Sequence, residues 1–211
     1  MGRKAKISKE MILEAAFELL DESGIGAVAI KNIAAKLECS TQPVSWQFGS
    51  MAELKKELFI YSAMRMWGDL ESKMEGKDAI DAFFVSGVQY ISIACDHPNV
   101  FRFLNIDDPT QTIGANGAEV LGENSFFTQQ LNALSVEALT KQYKIPKKKI
   151  GDLVQNMVIY THGLSVMMMW DNYRLPKEQA IRMMFDMGMK LIADIGIDVS
   201  DRKWGKKYAN M

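Results

Sequence analysis

The sequence predicts an all-α protein: an N-terminal three-helix domain carrying a helix-turn-helix, joined to a larger helical body. Two observations lead there. Apolar residues recur at helical spacing along most of the 211-residue chain, and no run shows the two-residue alternation of a strand. Between residues 29 and 54, AIKNIAAKLECSTQPVSWQFGSMAEL, two short helical segments lie back to back and a third follows at once.

In the head, Ser8 is placed to cap a first helix with the stripe Ile12, Ala15, Ala16, Leu19 and Leu20. Its acids, Glu10, Glu14, Glu18, Asp21 and Glu22, fall on the other side and are expected to turn outward, so this helix supports the motif rather than facing DNA. Ser23-Gly24-Ile25-Gly26 ends it, Gly being the usual left-handed residue past a helix terminus. Ile30, Ile33, Ala34 and Leu37 give the second helix one apolar face. Glu38 and Cys39 form the turn, Ser40 is a good N-cap, and Pro43 is tolerated in the first turn of the third helix. Val44 and Phe48 then point inward. Thr41, Gln42, Ser45, Trp46 and Gln47 are left outside, the hydrogen-bonding surface that reading a major groove requires. Lys31 is placed to reach a phosphate or a base edge. Ser50 caps the fourth helix, whose N-terminus is itself an anion site, with Lys55 and Lys56 one turn later. Arg3, Lys4, Lys6 and Lys9 form a basic leader, either a solvated tail or an arm for phosphates. Periodicity alone equally allows a helical protein that never meets nucleic acid.

Leu37, Ser40, Val44, Phe48, Ser50 and Leu54, with Trp46 between, carry a resemblance to the TetR family of bacterial transcriptional repressors. The family pattern is close to Leu-Gly-Val-Ser-x-x-x-Leu-Tyr-x-His-Phe-x-Ser-Lys-x-x-Leu. Glu38 and Cys39 replace its Gly-Val, Ser45 its Tyr, Gln47 its His, Met51 its phosphate-binding Lys, and Ala29 the usual Thr cap. The resemblance covers the first sixty residues. It implies a DNA-reading head on residues 1–50, with Lys31, Ser40, Thr41, Gln42, Ser45, Trp46, Gln47, Ser50 and Lys55 on double-stranded operator DNA. It also implies an effector-binding and dimerisation body on residues 51–200, leaving 201–211 as a basic, frayed tail.

Composition sets the remaining bounds. Hydrophobic content of 48% and charge of 24% are ordinary for a globular protein, and a formal net charge of -1 leaves any nucleic-acid contact to local charge polarity. Cys39 and Cys95 are far apart and form no metal or redox spacing. The N-terminus has no apolar signal core, and the run Val158 to Trp170 is too short to span a bilayer, so a cytoplasmic protein without membrane or cofactor is expected. Catalysis finds no motif: no Gly-rich phosphate loop, no HExxH, no CxxC, and two His in all. No enzymatic role is expected.

In the body, helices are expected over residues 78–96, 99–105, 125–143, 150–173 and 177–195, with Pro146 starting the penultimate one and loop over at least the first half of 107–124. The last two helices are apolar over more than one face, which calls for cover on both sides. A two-fold dimer through a four-helix bundle provides it, with Gly163 and Gly188 allowing close approach and Met167 and Met184 in the seam. Eight methionines cluster there, as core, as seam, or as a pliable surface for apolar ligands. Tyr160-Thr161-His162-Gly163 resembles the Trp-x-His-Gly signature of one C-terminal class of the family. The family's pockets lie within the body, which makes Trp67, Phe84, Phe127 and His162 candidates for a small apolar or amphipathic effector. The expected function is a ligand-responsive regulator, as a repressor, reading a palindromic operator as a homodimer. The alternative is an all-α ligand-binding or adaptor protein with lost or weak DNA binding.

Overall fold

The computed structural model describes residues 7–121, 129–170, 172–173 and 175–205. Arg3, Lys4, Lys6 and Phe127 lie outside them. Among the described residues the only regular structure is helical: α1 (Lys9–Ser23), a 3-10 turn (Ile25–Ala27), α2 (Ile30–Lys36), α3 (Thr41–Phe48), α4 (Met51–Trp67), α5 (Leu70–Met74), α6 (Ala79–Asp96), α7 (Pro98–Asn105), α8 (Pro109–Thr112), α9 (Gly117–Leu121), α10 (Gln129–Tyr143), α11 (Lys147–Met168) and α12 (Lys177–Asp194).

Packing divides the chain into two units, each discontinuous in sequence. Unit 1 holds residues 1–66 and 97–123; unit 2 holds 67–96 and 124–211. The head helices α1 to α3 thus share a unit with most of α4 and with α7, which packs on α1. Asp21 fastens that pair, its carboxylate 2.8 Å from His97 Nδ1 and its carbonyl accepting from Asn99 Nδ2 at 2.9 Å. Phe59 of α4 meets Phe103 of α7 edge-on, ring centroids 5.4 Å apart. The first half of residues 107–124, expected as loop, contains the short helix α8, and α9 follows in the half left open. The cause is visible in hindsight: Asp108 caps α8, accepting from the Thr110 N–H at 2.9 Å, and Pro109 occupies the first helical position.

In unit 2, α6 packs against α5, α10, α11 and α12. This helix is long and apolar enough to pass for a membrane span by composition, but most of its residues are buried in the unit's core. At its centre Phe84 is 1% exposed, its ring 5.1 Å from that of Phe185. Gly188 makes room for it, since a Cβ there would come within 2.6 Å of the Phe84 ring. Met184 in turn fills the space left by Gly87, its Sδ 3.1 Å from where a Cβ would sit.

The tail is not frayed where it is described. Arg202 donates to the carboxylates of Asp78 and Asp81, both at 2.8 Å, and Trp204 packs edge-on against Phe185. Asp81 is 5% exposed, so the Arg202 guanidinium pairs with a buried carboxylate there. Burial pushes the Asp78 carboxyl up, but the Arg202 hydrogen bond and charge and the N–H groups of Asp81 and Ile80 outweigh it and hold its pKa below the usual value. Arg202→Ala is expected to cost about 2–3 kcal/mol in denaturant melts, because it strands a buried carboxylate. A depressed folded pKa gives stability present above the unfolded carboxylate value. The wild-type advantage over the variant that comes from Asp78 is therefore full above about pH 4 and lost as pH falls through the lowered folded value.

Candidate nucleic-acid interface

The outer face of α3 is built by what holds its inner face. Val44 and Phe48, one turn apart, are buried, and Ile33 and Ala34 of α2 are buried with them in unit 1. The connection is a tight turn in which Cys39 N–H donates to the Ala34 carbonyl at 3.0 Å and Glu38 takes φ +50°. That is a left-handed conformation which costs a side-chain-bearing residue about 1–2 kcal/mol and which Gly adopts freely. Ser40 stands at the N-cap with extended backbone, but its hydroxyl makes no capping bond, contrary to its expected role. Gly49, at φ +70°, ends α3, and its N–H donates to the Ser45 carbonyl at 3.0 Å. Ser50 does cap α4, its Oγ accepting from the Glu53 N–H at 3.1 Å.

Thr41, Gln42, Ser45, Trp46 and Gln47 are all exposed, as are Lys31, Ser40 and Ser50; Lys55 is half-buried. Trp46 is 91% exposed, an unusual cost for the largest apolar side chain on a monomer surface. Two of these groups are already engaged. Ser45 Oγ donates to the Thr41 carbonyl at 3.1 Å, and Gln47 Nε2 to the Ile7 carbonyl at 3.3 Å. Lys9 is held as well, paired with Glu57 and 5.3 Å over the Phe48 ring. No local sequence signal points to the contacts of Gln47 and Lys9, which join residues some forty positions apart.

Glu14, Glu18, Asp21 and Glu22 of α1 are clamps rather than a free outward face. Glu14 accepts from Tyr61 and, at 2.6 and 2.8 Å, from Arg65 of α4; the Tyr61 hydrogen bond, the largest effect, together with Arg65 outweighs burial and keeps its pKa below the usual value. Arg65 also lies 4.6 Å over the Phe17 ring. Glu18 and Glu22 pair with Lys36 of α2 at 2.8 and 3.2 Å and raise its pKa.

The body candidates fall in unit 2. Trp67 is buried beside Tyr90, ring centroids 6.0 Å apart, and the Tyr90 hydroxyl lies 2.7 Å from His162 Nδ1. Burial pushes the Tyr90 hydroxyl far above its usual pKa, so it stays protonated. Phe84 is a core residue. Gly163 is exposed and Met167 half-buried, at positions open to a partner. Met184 and Gly188, expected in a dimer seam, are instead buried inside the protomer, where Gly87 and Phe84 take up the space they offer. The outward side of α12 carries Glu178, Arg182, Asp186 and Lys190, so it is less apolar than its composition suggests.

Residues 12–58 match the family model of bacterial regulatory proteins, tetR family. The chain carries a TetR-like helix-turn-helix domain. Its whole fold is TetR-like too: a TetR-like transcriptional regulator from Rhodococcus sp. RHA1 superposes with TM-score 0.65 at 15% identity, over 92% of this chain and 98% of that one. A second transcriptional regulator from Rhodococcus sp. Rha1 gives 0.63 at 14% identity, over 89% and 97%. A TetR variant from Acinetobacter baumannii AYE in complex with minocycline gives 0.54 at 16% identity, over 90% and 96%. Among curated proteins no sequence matches the chain.

In this TetR-like turn, Glu38→Gly is expected to raise stability by about 0.5–1 kcal/mol by removing the left-handed strain, net of the extra freedom Gly gives the unfolded chain. A thermal melt reads it as a rise of a few degrees, whereas a fall would mean that the Glu38 side chain contributes more than its backbone costs.

Proposed function

We propose that this chain is a ligand-responsive transcriptional regulator, a repressor, that reads a palindromic operator as a homodimer in the cytoplasm. The observation that carries the reading is the outer surface of α3, where Thr41, Gln42 and Trp46 stand clear of the protein on a helix anchored by two buried side chains. A bare aromatic flanked by hydrogen-bonding groups matches thymine methyls and base edges in a major groove. The N-terminus of α4, capped by Ser50, offers N–H groups to one backbone phosphate without the family's lysine.

Two such heads on a two-fold axis read half-sites about 34–36 Å apart. The seam falls on the side of α11 and α12 that presents Gly163, Met167, Met183 and Met187, with the last three half-buried and available to a second copy. A small apolar or amphipathic effector enters the body near Trp67 and His162. It lowers operator occupancy only if it binds the DNA-incompetent state more tightly, since equal affinity for both states shifts nothing. Tyr160-Thr161-His162-Gly163, with Tyr160 for Trp, supports assigning the body to the Trp-x-His-Gly class.

A second reading has one observation behind it. Ser45 Oγ and Gln47 Nε2 each donate to a backbone carbonyl of the chain itself, and Met51 replaces a phosphate-binding Lys, which suits an adaptor with weak DNA binding.

Selection from a random duplex pool separates the two: the regulator enriches a palindrome, whereas the adaptor binds without sequence preference or not at all. Trp46→Ala and Thr41→Ala are each expected to weaken binding to the enriched site about tenfold, the worth of one base-edge contact, while leaving the dimer intact. Light scattering at micromolar concentration is expected to return twice the 23.8 kDa chain mass, and a monomer there contradicts the two-fold reading.

A further inference from the structure

Unit 2 carries a groove of about 510 Å³ between α10 and α11. Its floor and walls are apolar: Val136, Gly151, Val154, Val158 and Ile159. Val158 and Ile159 are 39% and 63% exposed, large apolar side chains standing in water. The two polar groups within this stretch, Asn132 and Gln155, are neutral amides. One end differs. Lys147, the first residue of α11, closes the groove there.

That lysine does not stand alone. Lys141, Lys144, Lys147, Lys148 and Lys149 fall within nine residues that contain no acid, and all five are exposed. Among the described residues none of them is in an ion pair. Three of them crowd the first turn of α11, where the helix dipole is positive and an acid would be favoured. The fold thus keeps an uncompensated positive pole at one end of an apolar channel.

We propose that the groove is a binding site for a single-chain amphiphile with an anionic head. The acyl chain lies along α11 from Lys147 towards Ile159, roughly 18 Å at 1.5 Å per residue, the reach of a chain of about a dozen carbons. The head group pairs with Lys147 and relieves the repulsion among its neighbours. The volume is in the range of small-ligand sites, and a one-ended charge on an apolar channel complements an amphiphile rather than a uniformly charged partner. The assignment is independent of whether the chain reads DNA.

The probe is sodium laurate, titrated calorimetrically into the full-length chain below its critical micelle concentration. Saturable binding of one laurate per chain is expected. Gly151→Leu fills the groove without a clash, because nothing lies within 4 Å of a Cβ at that position, and Leu is the better helix former. It is expected to abolish laurate binding without lowering the melting temperature. Lys147→Ala, a surface change, is expected to weaken binding about tenfold and to flatten its salt dependence. No saturable binding overturns the proposal, and so does laurate affinity that either variant leaves unchanged.

Discussion

An eight-residue helix has too few hydrogen bonds to persist in water, so α3 exists only because Val44 and Phe48 are buried. That constraint sorts the whole helix. Two positions belong to the core, and a polar surface with one bare tryptophan is left over for other uses. The arrangement around it serves the anchoring: α2 contributes Ile33 and Ala34, the turn holds its direction at the cost of a left-handed Glu38, and Gly49 ends the helix before α4 begins. Changing the outer residues should leave the helix standing, while changing Val44 or Phe48 should remove the helix itself.

Electrostatics complete the head. A net charge of -1 provides no bulk attraction to a polyanion, and the acids of α1 would oppose one. The structure neutralises three of them on basic groups of neighbouring helices, Glu14 on Arg65 and Glu18 with Glu22 on Lys36. These surface pairs contribute little stability one by one, but they keep the carboxylates of α1 turned towards α2 and α4. Unit 2 adds close shape matching to its Arg202 ion pairs. Gly188 accommodates Phe84, and Met184 accommodates the missing side chain of Gly87, complementarities that reward unbranched, adaptable residues.

How much of this was legible in the sequence follows from range. Helical spacing and caps are local, so the all-α class and the bounds of α1, α3, α6 and α12 could be read to within a residue or two. The exposed set on α3 followed from the same spacing once Val44 and Phe48 were placed inside. What periodicity could not show was which apolar face meets which neighbour. Met184 and Gly188 were read as a surface for a second copy because their helix looked apolar all round, whereas they are consumed inside the protomer. Leu13 and Phe17 were left off the stripe of α1 although both are buried, because α1 is covered on more than one side by α2, α3 and α7. The Gln47–Ile7, Lys9–Glu57 and Arg202–Asp81 contacts join residues too distant for any local pattern to reveal.

The chain enters unit 1, leaves it at residue 66, and returns for residues 97–123. A ribosome that has finished α3 has made every residue of the turn and of the exposed outer face of α3, yet it has not made α7, which lies against α1, nor Phe103, which lies against Phe59. More than half of the polypeptide must emerge before the first unit can close over its own interior. Vectorial, start-to-finish maturation of the head is therefore denied to this protein by its connectivity, and the nascent chain holds an unfinished apolar surface until the middle of the message has been translated.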